Sequence, residues 1–315
     1  MTAQAAHDDL LLSFIQVRPV DANFLGAPLL VGNALDNALE KVNTAFARAV
    51  GRLHLIHAHD ALKILQASLG APKLNYMLRS SPCAGHSFLA DFDSSLRQAL
   101  SKVINVDLSD DQWFQASLPV RPGGLGVRSV ALLAPSAFLA SAASTLELQD
   151  RILCMCVCSR DSELERINCI WHTMAGPDSL VTDHNKQSNW DRRVCQFQYE
   201  ALLSRTTGDA EHARLLALCS PRSGDWLKAL PLSSCGLRLD DDTIRVTIGL
   251  HLGARLCEPH GCPCGSQVDS KGLHGLSCKR SAGRTSRHNF INDVLWRAIT
   301  KAGVPAIKEP AGLSR

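Results

Sequence analysis

The sequence contains few aromatic residues, little net charge and no long apolar run. Phe, Trp and Tyr make up 5% of its 315 residues, so aromatic platforms of the kind on which single-stranded nucleic acids stack are scarce. The formal net charge of +3 is too small to identify a nucleic-acid-binding protein by itself. The overall composition therefore indicates an ordinary globular protein and leaves its function open.

Signals for secretion and membrane insertion are also missing. The N-terminus has no basic segment leading into an apolar one, as a secretory signal peptide would. The apolar segment 132–144 is interrupted by Pro135 and falls short of the roughly 20 residues that span a bilayer. We therefore predict an intracellular protein, nuclear or cytoplasmic, without a membrane role. Its 12 cysteines are expected to be reduced thiols.

No catalytic constellation can be assembled from the spacing of reactive residues. The pair Asp8-Asp9 is of the type that binds Mg²⁺ in polymerases, but no further carboxylate precedes it. The acidic runs 110–111 and 240–242 suit helix N-termini better than metals. The segment 123–126, Gly-Gly-Leu-Gly, lacks the strand and helix that a phosphate-binding loop requires. Cys154, Cys156 and Cys158 have apolar neighbours and are predicted to be buried thiols.

One cluster near the C-terminus does indicate chemistry. Cys262-Pro-Cys264, His274 and Cys278 place four soft metal ligands within seventeen positions. Structural zinc is held by four Cys or His ligands in a tetrahedron, and short loops let a small segment fold around the ion. Cys257 and His260 lie just upstream as alternative ligands. We predict a structural zinc site; the other interpretation is a glycine-rich loop with buried reduced thiols.

A run of basic residues begins inside this cluster and continues beyond it. Between residues 271 and 308 there are eight Lys and Arg residues and a single acidic residue, Asp293. This distribution predicts a surface that faces phosphates. The alternative is a solvated basic face of a helix.

Apolar periodicity predicts a mainly α-helical protein. Two segments interrupt the pattern. Residues 117–129 are rich in Pro and Gly and predict a turn-rich connection or a short hairpin. Residues 156–190 are polar and predict a boundary or a flexible connection. An Ala-rich helix is expected at 130–155. Amphipathic helices are predicted at 34–55, 58–69, 85–105, 189–206, 209–219, 243–250 and 286–302.

Three stretches together resemble one family, the polyproteins of non-LTR retrotransposons that carry a restriction-enzyme-like endonuclease. Residues 23–29, NFLGAPL, look like the turn at the primer grip of a reverse transcriptase. Gln112-Trp113, with ASLP at 116–119 and GGLGV at 123–127, is similar to the segment that follows the thumb. The Cys and His cluster, followed by Gly283-Arg284 and Arg287-His288-Asn289, is similar to the knuckle that precedes the nuclease.

The resemblance implies a helical thumb-like region and a helical linker followed by a small CCHC-type zinc knuckle. It implies a primer-grip remnant at 1–33, a thumb-like domain at 34–155, a linker at 156–250, the knuckle at 251–285 and the first nuclease helix at 286–315. The expected partner is RNA or DNA, contacted through its backbone. The candidate contact residues are Lys279, Arg280, Arg284, Arg287 and His288, with Lys73 and Arg79 in the thumb.

The chain also departs from the family pattern. The polymerase palm with its Asp-Asp pair is expected upstream of Met1, and Glu309-Pro310 matches only the first carboxylate of the nuclease before the sequence stops at Arg315. We therefore expect no catalytic residues and no enzyme activity from this fragment of an RNA-directed DNA polymerase and endonuclease. The alternative function is a helical protein–protein interaction module without nucleic-acid binding.

Overall fold

The computed structural model describes residues 18, 21–152, 162–177 and 179–308, and it divides the chain into two compact units between Leu252 and Gly253. The described part is mainly α-helical, which confirms the prediction of a mainly α-helical protein; the thumb-like region, the helical linker and the knuckle stay predictions. The predicted boundaries after residues 33, 155, 250 and 285 stay predictions. Asp8-Asp9, Cys154, Cys156, Cys158 and Glu309-Pro310 lie outside the described residues.

In the described part of the first unit, a short hairpin precedes a bundle of helices. The strands β1 and β2 pair antiparallel, with Asn23 opposite Pro28. A π-helical turn, Leu65–Leu69, extends the second helix, and 3₁₀ turns lie at Leu53–Leu55, Asp225–Lys228 and Ser233–Cys235. The elements are β1 Asn23–Phe24, β2 Ala27–Pro28, α1 Asn33–Val50, α2 Ala58–Ile64, α3 Ala71–Ser80, α4 Ser87–Ile104, α5 Asp110–Ser117, α6 Val130–Ile152, α7 Ser162–Ala175, α8 Gln187–Arg205, α9 Asp209–Leu218 and α10 Asp241–Leu252.

Helix α6 lies at the centre of this unit and packs against α3, α4, α7 and α8. Its small residues, such as Ala134, Ala137 and Ala140, are buried and allow neighbouring helices to approach closely. The segment Val130–Gln149 is long and apolar enough, by length and composition alone, to cross a membrane. The apolar run is therefore longer than predicted from the sequence, because Pro135 does not end the helix. A core helix meets the same criterion, and 44% of this window is buried.

A buried carboxylate from α4 fixes the start of α6. Asp93 accepts hydrogen bonds from the backbone N–H groups of Val130 and Ala131, at 2.8 and 3.2 Å, and from the Ser129 hydroxyl. These donors are among those that a helix N-terminus leaves without an intrahelical partner. The carboxylate thus joins α4 to α6 at a defined point.

The turn-rich connection between α5 and α6 is a series of turns, and no strand occurs in it, so the possible hairpin at 117–129 is wrong. Gly124 lies so close to the preceding backbone that an added Cβ would stand 2.1 Å from the Leu118 carbonyl oxygen. Gly123 and Gly126 have φ angles of 86° and 75°, which favour glycine. The glycines of this segment are therefore explained by backbone geometry.

A buried polar cluster ties this connection to α9 and α10. The Gln115 amide donates to the carbonyl oxygens of Gly123 and His251, at 3.0 and 3.1 Å. The His251 Nε2 lies 2.9 Å from the Gly123 oxygen, and the Arg214 guanidinium donates to the Gln115 side chain and the His251 carbonyl. We call Gln115, Gly123, Arg214 and His251 the polar hub.

Most predicted helices are found, with shifted ends. The region 85–105 forms α4, and Asp240 accepts a 2.8 Å hydrogen bond from the Thr243 N–H at the start of α10. Three described helices of the first unit were missed: α3, α5 and α7. The last of these occupies part of the segment 156–190, where a boundary or flexible connection was expected.

The second unit is small. A hairpin pairs β3, His260–Gly261, with β4, Gln267–Val268, and a single helical turn, α11 His274–Ser277, precedes the longer helix α12, Ala282–Lys301. Its buried hydrophobic side chains among the described residues are Ala254, Val268 and Cys278. So few buried groups form only a minimal core.

Candidate metal centre

The hairpin of the second unit positions the first two candidate ligands. Its loop is closed by hydrogen bonds from the Cys262 N–H to the Ser266 oxygen and from the Gly265 N–H to the Cys262 oxygen, both 2.8 Å. Gly265 has a φ of 93°, a conformation that favours glycine. This tight loop directs Cys262 and Cys264 toward the same point despite the short C-x-C spacing.

The short helix α11 supplies the other two ligands. His274 is its first residue, and Cys278 follows its last residue, with the Cys278 N–H donating to the His274 carbonyl at 2.9 Å. One helical turn therefore brings the two side chains to the same side. Cys278 is buried, whereas Cys262 and His274 are partly exposed.

The four donor atoms lie within 4.8 Å of one another. The Sγ atoms of Cys262 and Cys278 are 3.6 Å apart, and Cys264 Sγ lies 3.1 Å from His274 Nε2. Two thiolates bound at about 2.3 Å to a tetrahedral zinc would be about 3.8 Å apart. The Cys₃His set therefore fits a tetrahedral ion of the size and ligand preference of zinc, and the cluster could bind a metal ion.

The hairpin loop favours the thiolate form of one ligand. Hydrogen bonds from the Ser266 side chain and backbone lower the pKa of the Cys264 thiol to about 6. The thiolate is the form of cysteine that ligates metals. Ser266 was not identified from the sequence, because its role depends on the fold of the loop.

The alternative ligands lie apart from this group. The Cys257 thiol donates to the Asp269 carbonyl oxygen at 3.2 Å, and the His260 Nδ1 lies 2.9 Å from the Glu258 carbonyl oxygen. Neither side chain belongs to the group of four donors. The geometry thus selects Cys262, Cys264, His274 and Cys278 from the six candidates.

The basic residues next to the cluster differ in their surroundings. Lys279 is exposed and has no hydrogen-bond or ion-pair partner within the described residues. The Arg280 guanidinium, although exposed, donates to the Pro263 carbonyl oxygen in the hairpin loop. Arg280 therefore also stabilises the loop that carries two candidate ligands, a role that the sequence did not reveal.

Along α12, part of the basic run is neutralised. Arg297 and Lys308 both pair with Asp293, and His288 Nε2 lies 3.1 Å from the Asn292 amide nitrogen. Arg284 and Arg287 belong to α12, but their side chains are not among those described. The remaining candidates, Lys73 and Arg79, are exposed on α3 in the first unit.

Part of the sequence is similar to a known protein. Over 244 residues, or 76% of the chain, the sequence is 23% identical to the retrotransposable element SLACS 132 kDa protein of Trypanosoma brucei gambiense. The match spans 16% of the length of that protein. No family model matches the chain.

Proposed function

We propose that the chain is a retrotransposon-derived segment of a reverse transcriptase polyprotein that binds nucleic acid. The similarity to a retrotransposable element protein supports the origin. The main observation that supports the function is the group of four soft donor atoms within 4.8 Å of one another, which fits a zinc knuckle. In this proposal the first unit contains the thumb-like region and linker, and the second contains a zinc knuckle.

Zinc has a structural role in this proposal. Cys262, Cys264, His274 and Cys278 would occupy all four tetrahedral positions, and no position would remain for a water or substrate, as catalytic zinc requires. The ion would join the β3–β4 loop to α11 in a segment whose core is too small to hold them together. The flank around Lys279 would then be presented on an ordered surface.

Metal analysis tests the knuckle directly. We expect about one zinc per chain in the purified protein, by native mass spectrometry. Cys278→Ser should lose the ion because it removes one of four ligands. Cys257→Ser is the matched control and should keep it, since that thiol contacts backbone carbonyls instead. Folded, reduced protein without zinc, or equal zinc in both variants, would contradict the proposed knuckle.

Nucleic-acid binding would depend on phosphate contacts made by Lys and Arg. Lys279 has no competing partner within the described residues, whereas the Arg280 guanidinium already donates to the Pro263 carbonyl oxygen. Neutralising several phosphates releases counterions, so affinity must fall steeply as salt rises. The partner is RNA or DNA, bound through its backbone rather than through base edges.

Fluorescence anisotropy with a hairpin RNA and a duplex DNA tests this contact. We expect affinity to fall by an order of magnitude or more between about 50 and about 200 mM salt. Combined Lys279→Glu, Arg284→Glu and Arg287→Glu should weaken binding at least tenfold at low salt. Lys41→Glu, an exposed lysine on α1, is the control. Absent binding, or binding that survives the triple charge reversal, would disprove the proposal.

The second candidate function is a protein–protein interaction module, and the surface of α12 favours it. Five large apolar side chains of this helix are between 41% and 70% exposed. Two adjacent pairs, 290–291 and 294–295, are four residues apart, and the last position, 299, follows four residues after the second pair, so the five side chains share one side of the helix. Contiguous exposed apolar surface often marks a contact with another protein. The residues are Phe290, Ile291, Val294, Leu295 and Ile299.

A further inference from the structure

A cleft in the first unit remains outside the proposed metal and phosphate-binding surfaces. It has a volume of about 390 Å³ and lies between the C-terminal part of α1, helix α4 and the first turns of α10. Phe46, Leu53, Ala99 and Val103 line it with apolar atoms. A volume above about 300 Å³ with an apolar lining and a few polar groups is typical of small-ligand sites.

One side of the cleft presents polar groups without partners. Ser95, Gln98 and Lys102 occur at steps of three and four residues on α4, so they share one face of that helix, and all three line the cleft. None of these side chains has a hydrogen-bond or ion-pair partner within the described part of the chain. A hydroxyl and an amide can each donate and accept hydrogen bonds. This face is therefore available to a polar ligand.

The other side adds a second cation. Arg245 of α10 lines the cleft, where its Nε donates to the Val103 carbonyl at 3.4 Å and its guanidinium lies 4.0 Å from Asp241. The Asp241 carboxylate is partly satisfied, because it accepts a 2.8 Å hydrogen bond from the Ala58 N–H and lies 3.5 Å from His57. Lys102 and Arg245 thus provide two positive charges against one engaged negative charge.

We propose that this cleft binds one nucleotide, with its base over the apolar floor and its phosphate between Lys102 and Arg245. Gln98 and Ser95 would hydrogen-bond to the edge of the base. The apolar floor suits a flat apolar body, and the two cations suit an anion attached to it. The choice of a nucleotide among aromatic anions rests on the proposed nucleic-acid function. The nucleotide is either a free nucleoside monophosphate or one unpaired residue of a strand.

Saturation-transfer NMR on the full chain tests the site with adenosine monophosphate, adenosine and ribose 5-phosphate. We expect the monophosphate to bind at least tenfold more tightly than either part, because only it meets both the floor and the cations. Lys102→Glu should weaken its binding at least tenfold. Ala47→Trp should abolish binding, since Ala47 is exposed and lines the cleft. Lys41→Glu on α1 is the matched charge control.

A tetranucleotide separates the two sources of the ligand. Binding at least tenfold tighter than that of the monophosphate identifies an unpaired residue of a strand, and equal or weaker binding identifies a free nucleotide. Absence of binding by both probes overturns the proposal. So does binding that is unchanged in Lys102→Glu and Ala47→Trp, or a monophosphate that binds no better than adenosine.

These results are separate from those for the second unit. Loss of duplex and hairpin binding on charge reversal near Lys279 tests the basic flank, whereas the cleft variants leave that flank intact. If the protein binds neither hairpin RNA nor duplex DNA but binds the monophosphate through Lys102, the cleft proposal stands and the proposed function fails. If it binds those nucleic acids but not the monophosphate, the proposed function stands and the cleft proposal fails.

Discussion

Single buried polar side chains determine where the helices of the first unit meet. Asp93 holds the N-terminus of α6, and His251 and Gln115 both contact the Gly123 carbonyl. A buried polar group without its partner costs about 1–3 kcal/mol, so these contacts select one arrangement among many that would bury similar apolar area. Of these side chains, His251 has the ordinary pKa that lies nearest to neutral pH.

We predict that His251 makes folding stability depend on pH. Burial lowers the pKa of its imidazole below the ordinary value of 6.5, so the folded protein keeps it neutral while the unfolded chain takes up a proton. Stability present above about pH 6.5 is therefore lost as pH falls through and below that value, by up to about 1.4 kcal/mol per pH unit. Urea unfolding between about pH 7 and about pH 5 measures this slope.

Two substitutions test whether His251 causes the pH dependence of the free energy of unfolding. His251→Gln retains an N–H donor for the Gly123 carbonyl and should show a shallower pH dependence than the natural protein. Part of the slope should remain, because burial also lowers the pKa of His59. His212→Gln, at an exposed position on α9, should leave the slope unchanged. Identical slopes in all three proteins would contradict the prediction.

At the scale of elements, the connection between α5 and α6 has almost no freedom to change. We predict that Gly124→Ala destabilises the first unit by about 2 kcal/mol or more, because a Cβ there would collide with the Leu118 backbone. Gly51→Ala is the control, since Gly51 has a helical φ of −58° and its Cβ would meet ordinary contacts at 3.4 and 3.7 Å. Denaturant unfolding should show a large loss for the first variant and a change within about 1 kcal/mol for the second. Equal effects would disprove the steric explanation.

The sequence predicted elements where one physical signal dominates. Helix α4 has apolar residues at three- and four-residue steps, and Phe92, Leu96 and Leu100 are all fully buried. Helix α5 has only eight residues, too few for a clear period, and α3 begins next to a proline. Helix α7 did carry a signal, because Ile167, Trp171 and Ala175 are spaced by four and are buried, but its polar composition concealed it.

In the candidate metal site, too, some features could be predicted from the sequence and others could not. The sequence narrowed the donors to six closely spaced Cys and His residues with four of them preferred, and the structure brings those four together. The contacts of Arg280 with Pro263 and of Ser266 with Cys264 could not be predicted, because they depend on how a five-residue loop turns. The polar hub was equally hidden, since it joins residues up to 136 positions apart.

At the scale of the whole molecule, the two units differ in what stabilises them. The first has an extensive apolar core, whereas Ala254, Val268 and Cys278 are the buried hydrophobic residues described in the second. We predict that a zinc chelator exposes residues 253–308 to protease and leaves the described helices of the first unit resistant, because metal binding supplies folding free energy to a segment with so small a core. Limited proteolysis with mass mapping measures both.

Restoration of the metal provides the control. Added zinc should return protection to the second unit, and Cys278→Ser should be cleaved there without any chelator. Equal resistance of the second unit with and without chelator would show that its fold does not depend on a metal.

The polar hub also has a consequence for biosynthesis. Gln115 reaches the backbone of His251 across 136 positions, and the Ala58 N–H reaches Asp241 across 183. A ribosome must therefore have translated nearly the whole first unit before α2 and α5 acquire these partners. During elongation, the N-terminal helices remain without the contacts that close their packing, so part of their apolar surface stays exposed until α10 emerges.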